Sequence, residues 1–370
     1  MQLRYRQRVA ATGISVAALA LILGACSSSS SSSPPASGGS GSAPAGGSSS
    51  SSASLSGTLN GSGSSFQLIF QQTAIQNFKT IEPGMTINYG GGGSGKGRTD
   101  LAGGVVQFAG SDTAPIPSEE VSSFKGKTVL YFPVVIGPIT VSYNLSGVSS
   151  LKLDGPVIAD IFQAKIKKWN DPKIAALNPG VKLPSTTIVI ARRADSSGTT
   201  ANFSQFLVDS APNWKLGSSS TISWPATSQG GSGNGGVAQI VKSTPGAVGY
   251  VDYSDAKASG LTYASVKNQA GNYIAPSVQS ATTAADNATI KPDLTFSAIW
   301  APGAQSYPIT YQSWDLVYQK QSSANTTKML KAYLGYLLGD GQKLLPGLNY
   351  APLPSSLDQK AKAQLSKIGT

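Results

Sequence analysis

The sequence predicts an α/β protein, and three observations carry that prediction. Helix-period and strand-type segments alternate from about residue 55 to the end, a pattern that packs as helices layered on sheet. At 40% hydrophobic, the chain can bury a large core. The segment that can do so is about 315 residues long, more than a single core usually serves.

The N-terminal region is of another kind. Arg4, Arg6 and Arg8 precede a mostly apolar run from Val9 to Leu23, so residues 1–25 read as a secretory signal peptide, too short and one-sided for a spanning helix. The run ends Leu23-Gly24-Ala25-Cys26, and Cys26 is the only cysteine. This resembles a bacterial lipobox, whose cysteine is lipidated and becomes the new N-terminus; each buried methylene contributes about 0.8 kcal/mol to such an anchor. A plain signal peptide with an incidental cysteine is the alternative. Residues 27–54 hold 16 serines and otherwise only Pro, Ala and Gly. Nothing there offsets the entropy of ordering, so 26–56 is expected to be a lipidated cysteine followed by a flexible tether. The expected location is therefore extracytoplasmic, lipid-anchored to the cell membrane.

Composition narrows the chemistry. The chain has no histidine, which excludes Ser-His-Asp and Cys-His catalysis and His-ligated zinc. One cysteine excludes an intrachain disulfide or a Cys-based metal site. No metal or cofactor is expected. Charged residues make up 12%, about half the usual share of roughly 25%. Lys and Arg number 28 against 17 Asp and Glu, and loss of the three signal-peptide arginines lowers the net charge from +11 to +8. No basic block with interleaved aromatics is present, so nucleic-acid binding is not expected.

Within the folded part, Phe66, Ile69, Phe70, Ala74 and Phe78 fall at helical spacing after Ser64-Ser65, and Phe203, Phe206 and Leu207 do so after Ser196-Ser197-Gly198-Thr199. Val129–Ile136 and Thr187–Ile190 are β-branched runs suited to buried strands. Met329, Tyr333, Tyr336 and Leu337 mark one late helix. Leu357, Ala361, Leu365 and Ile368 mark another, with Ser355 and Asp358 as its expected cap pair.

Four places suit an anion. Gly61-Ser62-Gly63-Ser64-Ser65-Phe66 is a turn opening a helix, where free N–H groups gather; a simple cap is the other reading. Gly90 to Gly97 nearly fits a phosphate-cradling nucleotide loop, with Gly90, Gly95 and Lys96 correctly spaced, but Gly97 stands where a hydroxyl should hold Mg²⁺. A nucleotide is rejected, and either close backbone approach to an anion or a flexible surface loop remains. Ala109-Gly110-Ser111-Asp112 ends an apolar strand and puts a carboxylate at its tip, as a cap, a salt-bridge partner or a ligand contact. Arg192-Arg193-Ala194-Asp195-Ser196-Ser197-Gly198-Thr199 joins a strand to a helix and brings together guanidinium, hydroxyls and free amides. The planar fork of Arg193 suits an oxyanion, and Asp195 is placed to orient it.

These segments resemble the phosphate-binding lipoproteins of bacterial high-affinity phosphate uptake, the substrate-binding subunits of an ABC transporter. The likeness covers residues 57–354 and extends through Ala164-Lys165-Ile166-Lys167-Lys168-Trp169, Leu177-Asn178-Pro179-Gly180, Pro245 to Val251 and Tyr350-Ala351-Pro352-Leu353-Pro354. It implies a two-lobed, type II periplasmic-binding-protein-like α/β fold, with the ligand in a cleft between lobes joined by two crossover segments. The lobes are expected at 57–136 plus 305–370 and at 137–304. It also implies phosphate contacts at Ser65, Phe66, Ser94, Asp112, Arg193, Ser197, Gly198 and Thr199. Phe66 and Gly198 would give backbone N–H groups, and Ser65, Ser94, Ser197 and Thr199 hydroxyls. The implied partners are inorganic phosphate and the permease subunits, with the chain itself a monomer. Ser65 stands where the family commonly has Thr. Lys96 and Arg98 put charge into a loop that is usually neutral, and solvent is their favoured environment.

Asp112 makes chemical sense of the resemblance. A carboxylate repels an anion unless the anion brings a proton to donate, which phosphate does near neutral pH and sulfate does not. Two other classes remain at this stage. A phosphatase would need a metal cluster or general base, and neither is visible. A sensor or surface-adhesive lipoprotein on the same fold is separable only by binding experiments.

Overall fold

The computed structural model describes residues 55–370. The signal peptide, Cys26 and the 27–54 tether lie outside the described residues.

The first part of the chain alternates strand and helix: β1 (Gly57–Gly63), α1 (Leu68–Ile81), β2 (Met85–Gly90), α2 (Ser94–Ala102) and β3 (Phe108–Ser111). A 15-residue strand, β4 (Val129–Tyr143), then leads to β5 (Lys152–Leu153), α3 (Gly155–Phe162), α4 (Pro172–Leu177), β6 (Val189–Arg193), α5 (Gly198–Ser210), β7 (Gln229–Gly231), α6 (Gly233–Ser243) and β8 (Ala247–Asp252). After α7 (Tyr253–Ala258) come the short strands β9 (Thr262–Tyr263), β10 (Ser265–Lys267) and β11 (Tyr273–Ile274), then α8 (Val278–Asp286). The chain closes with β12 (Thr310–Tyr318), α9 (Ala324–Leu338) and α10 (Ser355–Gln364).

One sheet runs β2-β1-β3-β12-β4-β8-β6-β7, with β9 against the end of β4; β11-β10-β5 form a small second sheet. The main sheet holds two parallel sets, β2-β1-β3 and β8-β6-β7, joined by antiparallel pairing through β12 and β4. Residues 129–138 of β4 pair with β12, and 139–143 pair with β8, so this one strand belongs to both halves. Its buried run of Val, Ile, Leu and Phe is what a strand covered on both faces requires. Pro133 has no N–H to give the ladder, and the register shifts beside it, at Ser313/Trp314 of β12. In open α/β sheets, ligands sit beyond the carboxyl ends of parallel strands. Here those ends are Gly63, Ser111, Arg193 and Gly231.

The helical and strand segments read from sequence are present, with some boundaries moved. Phe66 lies in the turn before α1 rather than in the helix, because α1 begins at Leu68. The strand expected at Thr187–Ile190 is displaced to Val189–Arg193. Ser355 does not cap α10: the helix already includes it, Pro354 holds the cap position, and Asp358 pairs instead with Lys362 at 2.5 Å.

Candidate anion-binding site

Asp112 stands immediately beyond β3 and is 2% exposed. Ser64 Oγ and Ser313 Oγ both donate to its Oδ1 at 2.5 Å. Ser94 Oγ accepts the Asp112 N–H at 3.0 Å and donates to Oδ2 at 3.2 Å. Burial pushes the Asp112 carboxyl above the usual carboxylate range, opposed by the Ser313 and Ser64 hydroxyls and by the charge of Arg193. Asn202 Nδ2 fixes the backbone there, donating to the Asp112 carbonyl at 2.7 Å and to the Gly198 carbonyl at 2.9 Å. Gly198 is needed at this approach: a Cβ on it would lie 2.4 Å from Ser94 Oγ and 2.6 Å from Asp112 Oδ2.

Arg193, the last residue of β6, is equally buried. Its Nε donates to Asp195 Oδ1 at 2.8 Å and its Nη2 to Asp195 Oδ2, the orienting role expected of Asp195. Burial works against the guanidinium charge, but the bonds to Asp195 and its negative charge outweigh that and hold the proton. Arg193 Nη1 donates to Thr199 Oγ1 and Asn234 Oδ1, both at 3.3 Å. Ser197 caps α5 by accepting the Thr200 N–H at 3.1 Å, which leaves its own proton free to donate. The Phe66 N–H donates to Ser64 Oγ at 3.1 Å.

The two parallel sets therefore meet at this point. Ser65 Oγ accepts the Asn234 N–H at 3.3 Å, and Gly95 N–H donates to the Ser196 carbonyl at 3.1 Å. The glycine run of 90–97 is what permits the second contact, since a Cβ on Gly95 would lie 2.1 Å from Ser196 Oγ. These glycines do not form a loose surface loop: the run leads from the end of β2 into α2, which starts at Ser94.

That helix also corrects the expectation for Arg98. Ser94 and Arg98 are four residues apart on one helical face, so Arg98 points inward with Ser94. It is fully buried, donating from Nε and Nη2 to Glu120 at 2.6 and 2.7 Å and from Nη1 to Thr113 at 2.7 Å and Ser111 at 3.2 Å. Lys96, on the opposite face, is exposed and ion-paired with Asp100.

The structure gathers Ser65, Phe66, Ser94, Asp112, Arg193, Ser197, Gly198 and Thr199 into one buried cluster, with Asp195 half-buried at its edge. Ser64, Asn202, Asn234 and Ser313 are further participants that the sequence motifs do not single out. Asn234 had a legible signal, the Gly230-Gly231-Ser232-Gly233-Asn234-Gly235-Gly236 turn opening α6. Ser313 had none, being one polar residue within a strand. Among the described residues, no group of three or more His, Cys, Asp or Glu is placed to hold a metal.

Comparison with known proteins places the chain in a family. Residues 48–340 match the family model of the PBP superfamily domain. The phosphate-binding protein PstS of Pasteurella multocida is 36% identical over 314 residues, covering 83% of this chain and 89% of the relative. The chain belongs to the PBP superfamily, in the family of the phosphate-binding proteins PstS. Another member of this family, phosphate-binding protein PstS 3 of Mycobacterium leprae, is 36% identical over 84% of this chain and 87% of its own length. Among solved structures, a high affinity periplasmic phosphate-binding protein bound with phosphate superposes with a TM-score of 0.69 at 20% identity, over 83% of this chain and 94% of that one. A phosphate-binding protein from Stenotrophomonas maltophilia gives 0.63 at 20% identity, over 84% and 94%. The mixed α/β architecture is therefore that of the superfamily.

Proposed function

We propose that the chain binds inorganic phosphate in this cleft, closes over it and delivers it to the permease of an ABC transporter for import. It does so as a monomeric binding protein rather than an enzyme, outside the cytoplasm and held to the membrane by lipid on Cys26. Its lobes are 57–136 with 305–370, and 137–304, linked through β4 and the approach to β12. Phosphate is held by the hydroxyls of Ser65, Ser197 and Thr199, the backbone N–H of Gly198 and the Arg193 guanidinium, and by the Ser94 hydroxyl and the Phe66 N–H, which exchange their bonds to Asp112 and Ser64 for the ligand. Ligand touching both lobes favours the closed state by its differential affinity for it. The names of the relatives support the ligand, and the chemistry of the cluster supports it separately.

The arrangement around Asp112 carries this reading. Two serine hydroxyls satisfy Oδ1, while Oδ2, held only by a longer bond from Ser94, lies against Gly198. Burial that raises the basicity of a carboxylate makes it a better acceptor for a P–OH proton. A fully ionised anion meets Oδ2 as two acceptors facing each other, a buried mismatch of a few kcal/mol, about 3 by analogy with other desolvated charge pairs. Calorimetric titration of ligand-stripped protein with phosphate and with sulfate tests this, alongside Asp112→Asn. Wild type is expected to bind phosphate and reject sulfate, and the Asn variant to lose about a hundredfold of that selectivity. Comparable binding of both anions by wild type would sink the proposal.

A further inference from the structure

One buried group beside the cleft has no part in the scheme above. Tyr311 lies at the start of β12, paired in register with Gly137 of β4. Its ring is stacked on Phe66 with centroids 4.1 Å apart. Gly137 makes room for that stack, since a Cβ there would lie 3.0 Å from the Phe66 ring. Tyr350 meets the same Phe66 ring edge-on, but its hydroxyl is fully engaged, donating to the Phe66 carbonyl at 2.7 Å and accepting from Ser254 Oγ at 2.8 Å. The Tyr311 side chain is fully buried and its Oη makes no hydrogen bond.

Folded proteins rarely leave a buried hydroxyl without a partner unless it has another use. The surroundings of Tyr311 indicate which. Burial and then the negative charges of Asp252 and Asp112 push its pKa well above the ordinary phenol value, while the neighbouring Thr199 hydroxyl works the other way. Tyr311 stands two residues before Ser313 on the same face of β12, and Ser313 bonds Asp112 at 2.5 Å, while Tyr311 Oη itself makes no hydrogen bond. A phenol so placed stays protonated, with one O–H to donate. It adds a donor for an anion without adding positive charge, in keeping with a site that otherwise relies on hydroxyls, amides and a single guanidinium.

We propose that Tyr311 Oη is a further ligand donor in this anion site, reaching phosphate from β12 through its stack on Phe66. The inference rests on the cleft being a phosphate site. It gives β12 two contributions to the site: Ser313 positions Asp112, and Tyr311 contacts the ligand.

Tyr311→Phe removes only the hydroxyl and leaves the stacked ring in place. In calorimetry on ligand-stripped full-length chain, the variant is expected to bind phosphate about ten- to hundredfold more weakly, the range for one hydrogen bond to a charged acceptor. Its thermal midpoint without phosphate should stay level or rise, because a group with no partner in the protein is being removed. In protein labelled with 3-fluorotyrosine, the ¹⁹F resonance that Tyr311→Phe deletes should shift in step with phosphate titration, a response that a purely structural tyrosine would not give. Wild-type binding with unchanged affinity in Tyr311→Phe overturns this inference alone. A resonance indifferent to phosphate overturns it as well. Wild type that does not bind phosphate overturns the functional reading and this inference with it.

Discussion

Arg193 and Arg98 are both buried and each grips a carboxylate with two nitrogens, yet they occupy different kinds of site. Arg98, behind the cleft, has its remaining nitrogen satisfied by Thr113 at 2.7 Å and Ser111 at 3.2 Å, so its donors are taken up by the protein. Those bonds hold the residues on either side of Asp112. The remaining nitrogen of Arg193 has only two 3.3 Å bonds, to groups that themselves line the cleft. Burial and a paired carboxylate are common to both arginines; the proposed ligand role of Arg193 rests on the long bonds of its Nη1 and on the hydroxyls around it.

The largest expected effect comes from breaking the binding side of this contrast. Arg193→Met should weaken phosphate binding about a thousandfold in calorimetry, the loss of two charge-assisted hydrogen bonds of about 2 kcal/mol each. Arg193→Lys should recover little, since an ammonium lacks the planar fork. A loss under about tenfold for the Met variant would mean that the cleft does not rely on this guanidinium. Arg98→Met should do the converse, lowering stability in urea melts by about 2–3 kcal/mol while phosphate affinity changes little. This is less than a fully buried pair would lose, because Glu120 is 29% exposed and can rehydrate. Loss of affinity as large as that at Arg193 would erase the distinction between the two arginines.

The contrast extends to carboxylates. Asp112 has hydroxyl donors and Arg193 to support its charge, whereas Asp315 on β12 has only the Gln71 amide, at 3.0 and 3.1 Å, and the nearby Gln67. Burial pushes the Asp315 carboxyl up to about 7. The folded state then holds this proton more tightly than the unfolded chain does, so ionisation opposes folding. Its contribution to stability falls as pH rises from about 4 to about 7, by at most roughly 1.4 kcal/mol per pH unit, and is level above that. Asp315→Asn should remove this slope, so that the variant gains on wild type from pH 4 to 7 in chemical denaturation. Parallel curves would show that the carboxyl titrates normally. The smallest effect should be at Lys96, whose exposed pair with Asp100 is worth about 0.5 kcal/mol or less, so Lys96→Ala should barely move stability. A clear change in phosphate affinity there would bring Lys96 into the site after all.

Much of the site was legible because its parts are local. Ser197-Gly198-Thr199 after a strand, Asp112 at a strand tip and Ser64-Ser65-Phe66 before a helix are short-range patterns, set by residues within four positions of each other. The inward turn of Arg98 is not legible in the sequence, because the glycine-rich stretch before it reads as loop; once α2 begins at Ser94, helical geometry alone turns Arg98 inward. Ser313 and Tyr311 have no local signal, since in a central strand a serine or tyrosine beside the anion cluster looks like one packed in the core.

The sequence by itself determined the α/β class, the turns that open α1 and α5 at the cleft, the absence of imidazole and thiol chemistry from the folded part, and the aspartate on which phosphate selectivity is proposed to rest. Only the tertiary structure decided which groups Asp112 and Ser65 would meet. Ser313 lies 201 residues from Asp112, and Asn234 lies 169 from Ser65. Such pairs depend on strand order, on β12 lying between β3 and β4 and on β4 running through both halves. Periodicity and capping report interactions over a single helical turn, whereas strand order is settled by how whole apolar faces are buried together.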